Sequence, residues 1–319
     1  MFQYTVQLRD TLTCAIDRLT EARTPSPRMN AELLLMFTLG CDRAYLFAHP
    51  ERKLTSEESA RYDQALAQRA SGIPAQYITG HQEFWGMDCI VTPAVLIPRP
   101  ETEHVIETVL RLLGQVTPGS VDHQGTQGGQ RGQQLSASPR IVDVGTGSGC
   151  IALALAQELP QAEIHATEIS CAALEIARTN AARLQLEDRI HFHETDLLTG
   201  LGHDAFDFVV SNPPYVGESE QDEVQLEVRK FEPRRAVFAG ARGTEVIEHL
   251  IPQAAAALKP DGWLVMEISG AIAEDVKCLL DGWEDVSITK DLQGIPRVAA
   301  SRASGFTKNR FLPPEEPEE

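Results

Sequence analysis

From residue 140 onward the chain alternates short apolar runs with helix-length stretches, and few architectures can absorb that alternation. The runs at 141–145, 163–169, 190–194, 206–211, 263–268, 286–290 and 298–302 read as strands. Strands separated by helices form a mostly parallel sheet with both faces covered. No convincing helix separates the last two runs, so they are expected to form an antiparallel hairpin at the sheet edge. The expected fold is therefore α/β, a seven-stranded doubly wound sheet.

Ahead of this lies a region of different texture. Helices are expected at 2–22, 26–39 and 56–71, forming a small bundle over 1–72. Ser26 before Pro27 suits an N-cap with a first-turn proline. Thr55 and Glu58 have the spacing of a capping box. Between 73 and 98 the runs Gln76-Tyr77-Ile78, Glu83-Phe84-Trp85 and Ile90-Val91, broken by glycine, suggest a β-hairpin connector. A helix is expected over 101–113. The stretch 114–138, dominated by Gly, Gln, Ser and Thr, reads as a disordered loop within a catalytic domain spanning 99–303. The acidic, proline-rich 304–319 reads as a tail.

Composition narrows the function. With a formal charge of −18, the molecule should repel nucleic acid, whose binders carry a surplus of Lys and Arg. A protein or small-molecule partner is favoured. The amino terminus lacks the basic-then-apolar pattern of an export signal, and no apolar run approaches the ~20 residues that cross a bilayer. Six scattered cysteines without a CxxC pair read as reduced thiols, and a cytoplasmic protein is expected. His191 and His193 alternate along one strand and there is no HExxH motif, so no metal site is expected.

The first catalytic-domain strand runs into Gly145-Thr146-Gly147-Ser148-Gly149, a turn that lets backbone approach a ligand closely. A dinucleotide fingerprint would place its third glycine one residue later, where Cys150 stands. Glu168 closes the next strand at about the distance where such sites put a carboxylate on ribose hydroxyls. Asp196, beyond the third strand, suits an exocyclic amine of adenine. These strand ends share one edge of the sheet, where open α/β sheets bind ligands.

After the fourth strand comes Asn212-Pro213-Pro214-Tyr215, the most informative segment in the chain. Two successive prolines remove backbone donors but leave free carbonyl acceptors. The Asn212 side-chain oxygen and the Pro213 carbonyl could together grip both hydrogens of a planar NH2 group, with Tyr215 supplying a face for stacking. An amide or an adenine amine has that shape.

In order, Gly72-Ile73-Pro74-Ala75-Gln76-Tyr77-Ile78-Thr79-Gly80 with Phe84, Leu96-Ile97-Pro98-Arg99-Pro100-Glu101-Thr102-Glu103, the glycine turn, the Asn-Pro-Pro-Tyr segment, Phe231-Glu232-Pro233 and the run 294–298 form a specific set. The sequence resembles the class I methyltransferases and, within them, the release-factor glutamine methyltransferases of the PrmC/HemK family. That resemblance implies S-adenosylmethionine as cofactor, held by residues 145–149, Glu168, Asp196, Leu197 and Asn212. It implies a helical domain that helps dock peptide chain release factors, and methylation of the glutamine in their Gly-Gly-Gln tip; a monomer is expected. Arg99, Glu101 and Thr102 would join residues 212–215 at the substrate. Leu197 departs from a bulky aromatic found in some members, Met266-Glu267-Ile268-Ser269-Gly270 lacks the usual glycine after Glu-Ile, and the 114–138 insertion is long for the family.

An amide nitrogen is a poor nucleophile because its lone pair is delocalised. Asn212 and Pro213 would therefore act by orienting the NH2 group and accepting from its N–H bonds, with no dedicated base. The chief alternative is an adenine-N6 methyltransferase acting on DNA or RNA, which would need the same grip on a flipped base but also a basic groove. A scaffold that has lost activity is a third reading, opposed by the intact glycine turn and Asn-Pro-Pro-Tyr.

Overall fold

The computed structural model describes residues 7–115, 138–305 and 307. The chain divides into two compact units, one running to His81 and taking in Val224–Phe231, the other holding the remainder. The start of the 2–22 helix, all of 116–137 and the terminal tail from 308 lie outside the described residues.

The first unit is helical: α1 (Leu8–Glu21), α2 (Pro27–Leu39), α3 (Arg43–Ala48), α4 (Ser56–Ala70) and α5 (Ala75–Thr79). Leu8, Leu19, Leu34, Leu35, Leu46, Tyr62 and Leu66 form its core. The capping box on α4 is present in both directions, with Glu58 N–H donating to Thr55 and Thr55 N–H donating to Glu58. Ser26 does not cap α2 through its side chain: its backbone is left-handed (φ 47°), and Asn30 instead donates to the Pro25 and Ser26 carbonyls. Two short helices were not anticipated. Asp42 caps α3 by accepting from Tyr45 N–H, and Gln76-Tyr77-Ile78 is helical rather than extended. Pro74 starts α5, its carbonyl accepting from Tyr77 and Ile78, and left-handed Gly80 ends it. The Arg69 guanidinium is buried, bonding Asn30, the Ile73 carbonyl and Glu227 of the helix Leu226–Phe231. That is how a distant stretch of sequence joins this unit.

The second unit begins with a hairpin, β1 (His81–Phe84) and β2 (Met87–Ile90), turned at Trp85 and Gly86, both at positive φ. A 3-10 turn, Pro100–Thr102, leads into α6 (Glu103–Leu112). The main sheet contains β3 (Arg140–Val144), β4 (Glu163–Glu168), β5 (Ile190–Glu194) and β6 (Phe206–Ser211). A small pair, β7 (Val216–Gly217) and β8 (Phe238–Gly240), stands beside it. The main sheet is completed by β9 (Leu258–Glu267), β10 (Glu284–Lys290) and β11 (Pro296–Arg302), in the order β10-β11-β9-β6-β3-β4-β5. β11 pairs antiparallel with both β9 and β10, and the other five strands are parallel. The seven-stranded, mostly parallel sheet with an antiparallel edge is thus the observed architecture.

Apolar residues fill both faces of the sheet. Ile141, Phe208, Val210 and Val265 pack on one side, and Val142, Val144, Val209 and Leu264 on the other, as a period of two requires. The strand order reverses at β3, whose neighbours are β4 and β6. A crevice at such a reversal is where a doubly wound sheet binds its ligand. Register sharpens this: Val144 pairs with both Thr167 and Ser211, and Ser211 pairs with Met266. The residues just past these positions therefore emerge side by side.

Candidate active site

At that edge lies a cavity of about 380 Å³, within the range of small-molecule sites. The glycine turn forms one wall. Asp143, fully buried on β3, accepts from the Thr146 hydroxyl at 2.6 Å and from Ala152 N–H at 3.2 Å, clamping the turn to the helix Cys150–Glu158. Burial pushes its carboxyl up to about 7 against the pull of those two donors. The glycines divide the work. A Cβ on Gly145 would meet nothing within 4 Å, whereas one on Gly149 would lie 3.2 Å from Ala177 Cβ. The first faces ligand space and the last permits close helix packing.

Glu168 stands at the end of β4 with its carboxylate aimed by backbone: Oε2 accepts from Gly147 N–H at 3.0 Å and Oε1 from Ser170 N–H at 2.9 Å. Each oxygen keeps a lone pair for a further donor. Asp196 and Leu197 line the same cavity, Asp196 exposed and Leu197 at φ 49°. Asn180 fastens this end of the unit by accepting from Ile90 N–H and donating to the Ile90 and Ser148 carbonyls.

Asn212 follows β6. Its Nδ2 donates to Thr102 Oγ1 at 3.0 Å, across 110 residues of sequence. Asn212, Pro213, Pro214 and Thr102 all line the cavity with Gly145, Thr146, Gly147, Ser148, Glu168, Asp196 and Leu197. Gly149 stands behind the wall. Tyr215 requires a correction: it does not line the cavity as a stacking face. Its ring packs against the core, and its hydroxyl donates to Glu267 Oε1 at 3.0 Å. Burial and the Glu267 carboxylate hold that phenol far above the usual tyrosine range.

Arg99 and Glu101 are also not on the cavity wall. Arg99 pairs with buried Glu232, which also accepts from Ile97 N–H, and Glu101 lies 3.8 Å from Arg297. Within Phe231-Glu232-Pro233, Glu232 anchors the 97–99 segment through Arg99 and Ile97 N–H. Ala94, Val95, Pro233, Arg235, Phe238 and Val246 also line the cavity, and the sequence does not single them out. Only the short proline-punctuated runs around Pro98 and Pro233 hinted at them.

Glu163, His165 and His191 place ligand-type atoms within 4.8 Å of one another on β4 and β5. Arg140 occupies both oxygens of Glu163, and His165 bonds Glu163 and His193, so a cation would have to displace a fixed guanidinium. Among the described residues no helix is long and apolar enough to cross a membrane.

Comparison with known proteins converges on one group. Residues 10–80 match the family model for the PrmC N-terminal domain, and 132–230 match the methyltransferase small domain. The release factor glutamine methyltransferase of Koribacter versatilis is 51% identical over 92% of this chain and 98% of its own length. Those of Xylella fastidiosa (strain 9a5c) and Rhodopirellula baltica are 38% and 37% identical, over 90% and 86% of this chain and 98% and 88% of theirs. Among solved structures, the hMettl16 catalytic domain in complex with MAT2A 3'UTR hairpin 1 superposes with a TM-score of 0.52. It covers 84% of this chain and 88% of its own at 18% identity, a likeness of fold alone.

Proposed function

The chain belongs to the release factor glutamine methyltransferase family, and from that premise we propose that it methylates the side-chain amide nitrogen of the glutamine in the Gly-Gly-Gln motif of peptide chain release factors. The observation that carries the reading to the atoms is the Asn212–Thr102 hydrogen bond. With Nδ2 committed to Thr102, Asn212 offers its Oδ1 as an acceptor to a planar NH2 group, and the Pro213 carbonyl offers a second. Two acceptors on the N–H bonds orient the amide and favour the positive charge that builds on nitrogen as the new bond forms. No side chain is needed as a base, because the proton leaves a strongly acidic nitrogen to water after transfer.

The cavity fits S-adenosylmethionine. Gly145 and Gly147 give backbone access, Glu168 has lone pairs left for ribose hydroxyls, and Asp196 and Leu197, on the same cavity wall, would be the residues to receive an adenine. When bound, that cofactor supplies an electrophilic methyl group on a sulfonium. The chain's charge of −18 favours a protein substrate over nucleic acid, and its free thiols suit a reducing cytoplasm.

The test uses tritiated S-adenosylmethionine with purified release factors, their Gln→Ala variants, and DNA or RNA. Label on the release factor that disappears with the glutamine is the expected result. Label on nucleic acid alone, or none anywhere, overturns the reading.

A further inference from the structure

Two arginines stand side by side in the four-residue helix Arg234–Val237, and their surroundings differ. Arg234 is engaged: its guanidinium donates to Gln221 Oε1 at 3.0 Å and to Glu218 Oε1 at 3.2 Å, and it lies over the Phe238 ring at 4.4 Å. Arg235 is exposed, lines the cavity, and has no hydrogen bond or ion pair to any described residue. Its segment is held to the cavity wall one turn earlier. Glu232 accepts from Ile97 N–H at 3.1 Å and pairs with Arg99, and Pro233 and Arg235 line the cavity together with Leu96 and Pro98.

Charge makes this cation informative. The other charged side chains on the cavity wall are Glu168 and Asp196, and the chain as a whole carries −18. Such a field repels anions, so a ligand that bears one needs a cation at the point of binding. The glutamine side chain and the peptide groups of a Gly-Gly-Gln tip are uncharged. S-Adenosylmethionine carries one anion, the α-carboxylate of its amino-acid tail. Its sulfonium has three substituents. With the ribose at Glu168 and the methyl toward Asn212 and Pro213, the tail is left the wall that includes Arg235.

We propose that Arg235 binds this α-carboxylate, an inference that rests on the cofactor reading. A guanidinium can meet a carboxylate through two parallel N–H donors, a stronger and more directional pair than a neutral hydrogen bond. Fixing the tail at one end and the ribose at the other also limits how the sulfonium can turn, which keeps the methyl aimed at the Asn212 side.

Calorimetry with two ligands tests the pairing: S-adenosylmethionine, and its decarboxylated analogue, which keeps the adenosine, sulfonium and ammonium and lacks only the carboxylate. In Arg235→Gln, affinity for S-adenosylmethionine should fall roughly tenfold, whereas affinity for the analogue should not fall. Arg235→Lys should recover part of the loss, since it restores the charge without the fork. Urea midpoints of both variants should match the wild type, because Arg235 holds no other part of the chain. Equal losses for the two ligands overturn the assignment, as does unchanged S-adenosylmethionine affinity in Arg235→Gln. In the latter case, a raised KM for the release factor would move Arg235 to the protein substrate. A wild type that binds neither ligand overturns the cofactor reading itself, and this inference with it.

Discussion

Tyr215 donates its phenolic hydrogen to Glu267 at 3.0 Å, so the last residue of the Asn-Pro-Pro-Tyr segment anchors in the protein interior instead of facing the cavity. Tyr215→Phe removes one of the few donors available to a buried carboxylate. The variant should lose about 1–3 kcal/mol of stability in urea titration, with S-adenosylmethionine affinity nearly unchanged. A large loss of cofactor binding without loss of stability would return Tyr215 to the cavity wall.

Asn212→Ala should behave in the opposite way. Its amide lines the cavity and makes one bond to Thr102, so folding should be little affected. Turnover should drop roughly 100- to 1000-fold, the scale seen when a single polar group that stabilises developing charge is removed. Near wild-type turnover with cofactor bound would exclude Asn212 from the chemistry.

Asp143 makes stability depend on pH. Its folded-state value of about 7 lies above its usual 3.8, so the native protein holds more protons than the unfolded chain between those limits. Asp143 therefore favours folding most at the acidic end, and that contribution declines as pH rises from about 4 to about 7. Urea titrations across that window should show a decline for the wild type that is flattened in Asp143→Asn. Parallel profiles would mean that Asp143 is ionised throughout.

The outer glycines of the turn should separate in their effects. Gly149→Ala puts a Cβ 3.2 Å from Ala177 and 3.3 Å from Leu153 at φ 86°, and should cost about 1–3 kcal/mol of stability. Gly145→Ala meets no protein atom within 4 Å, so beyond the strain of φ 71° its main effect should be weaker S-adenosylmethionine binding. Calorimetry and urea titration on both variants check the division, and equal loss of binding in the two would contradict it.

Elements whose signals are local are readable from the chain without its fold. The strands at 190–194 and 206–211 match β5 and β6, because their apolar runs are bounded by turn residues and need no partner to be recognised. The missing helix before the last strand was enough to place an antiparallel edge. Glycine spacing likewise marked the edge of the sheet where the cavity lies. Gln76-Tyr77-Ile78 marks the limit of such reading: its aromatic and β-branched residues favour a strand, but Pro74 and Gly80 close a helical turn around them.

Where side chains point once a strand ends is set by contacts between distant segments. Tyr215 and Asn212 are three residues apart, yet one turns to Glu267 on β9 and the other to Thr102 ahead of α6. Arg99 turns to Glu232 in the same way. Periodicity fixes side-chain direction within a strand or helix, but past its end no repeat constrains the chain. Direction is then set by hydrogen-bond partners that register brings alongside, and residues more than 50 apart in sequence carry no local sign of each other. Asn212 and Pro213 could therefore be placed on the cavity edge of the sheet from the sequence, whereas the turn of Asn212 toward Thr102 could not.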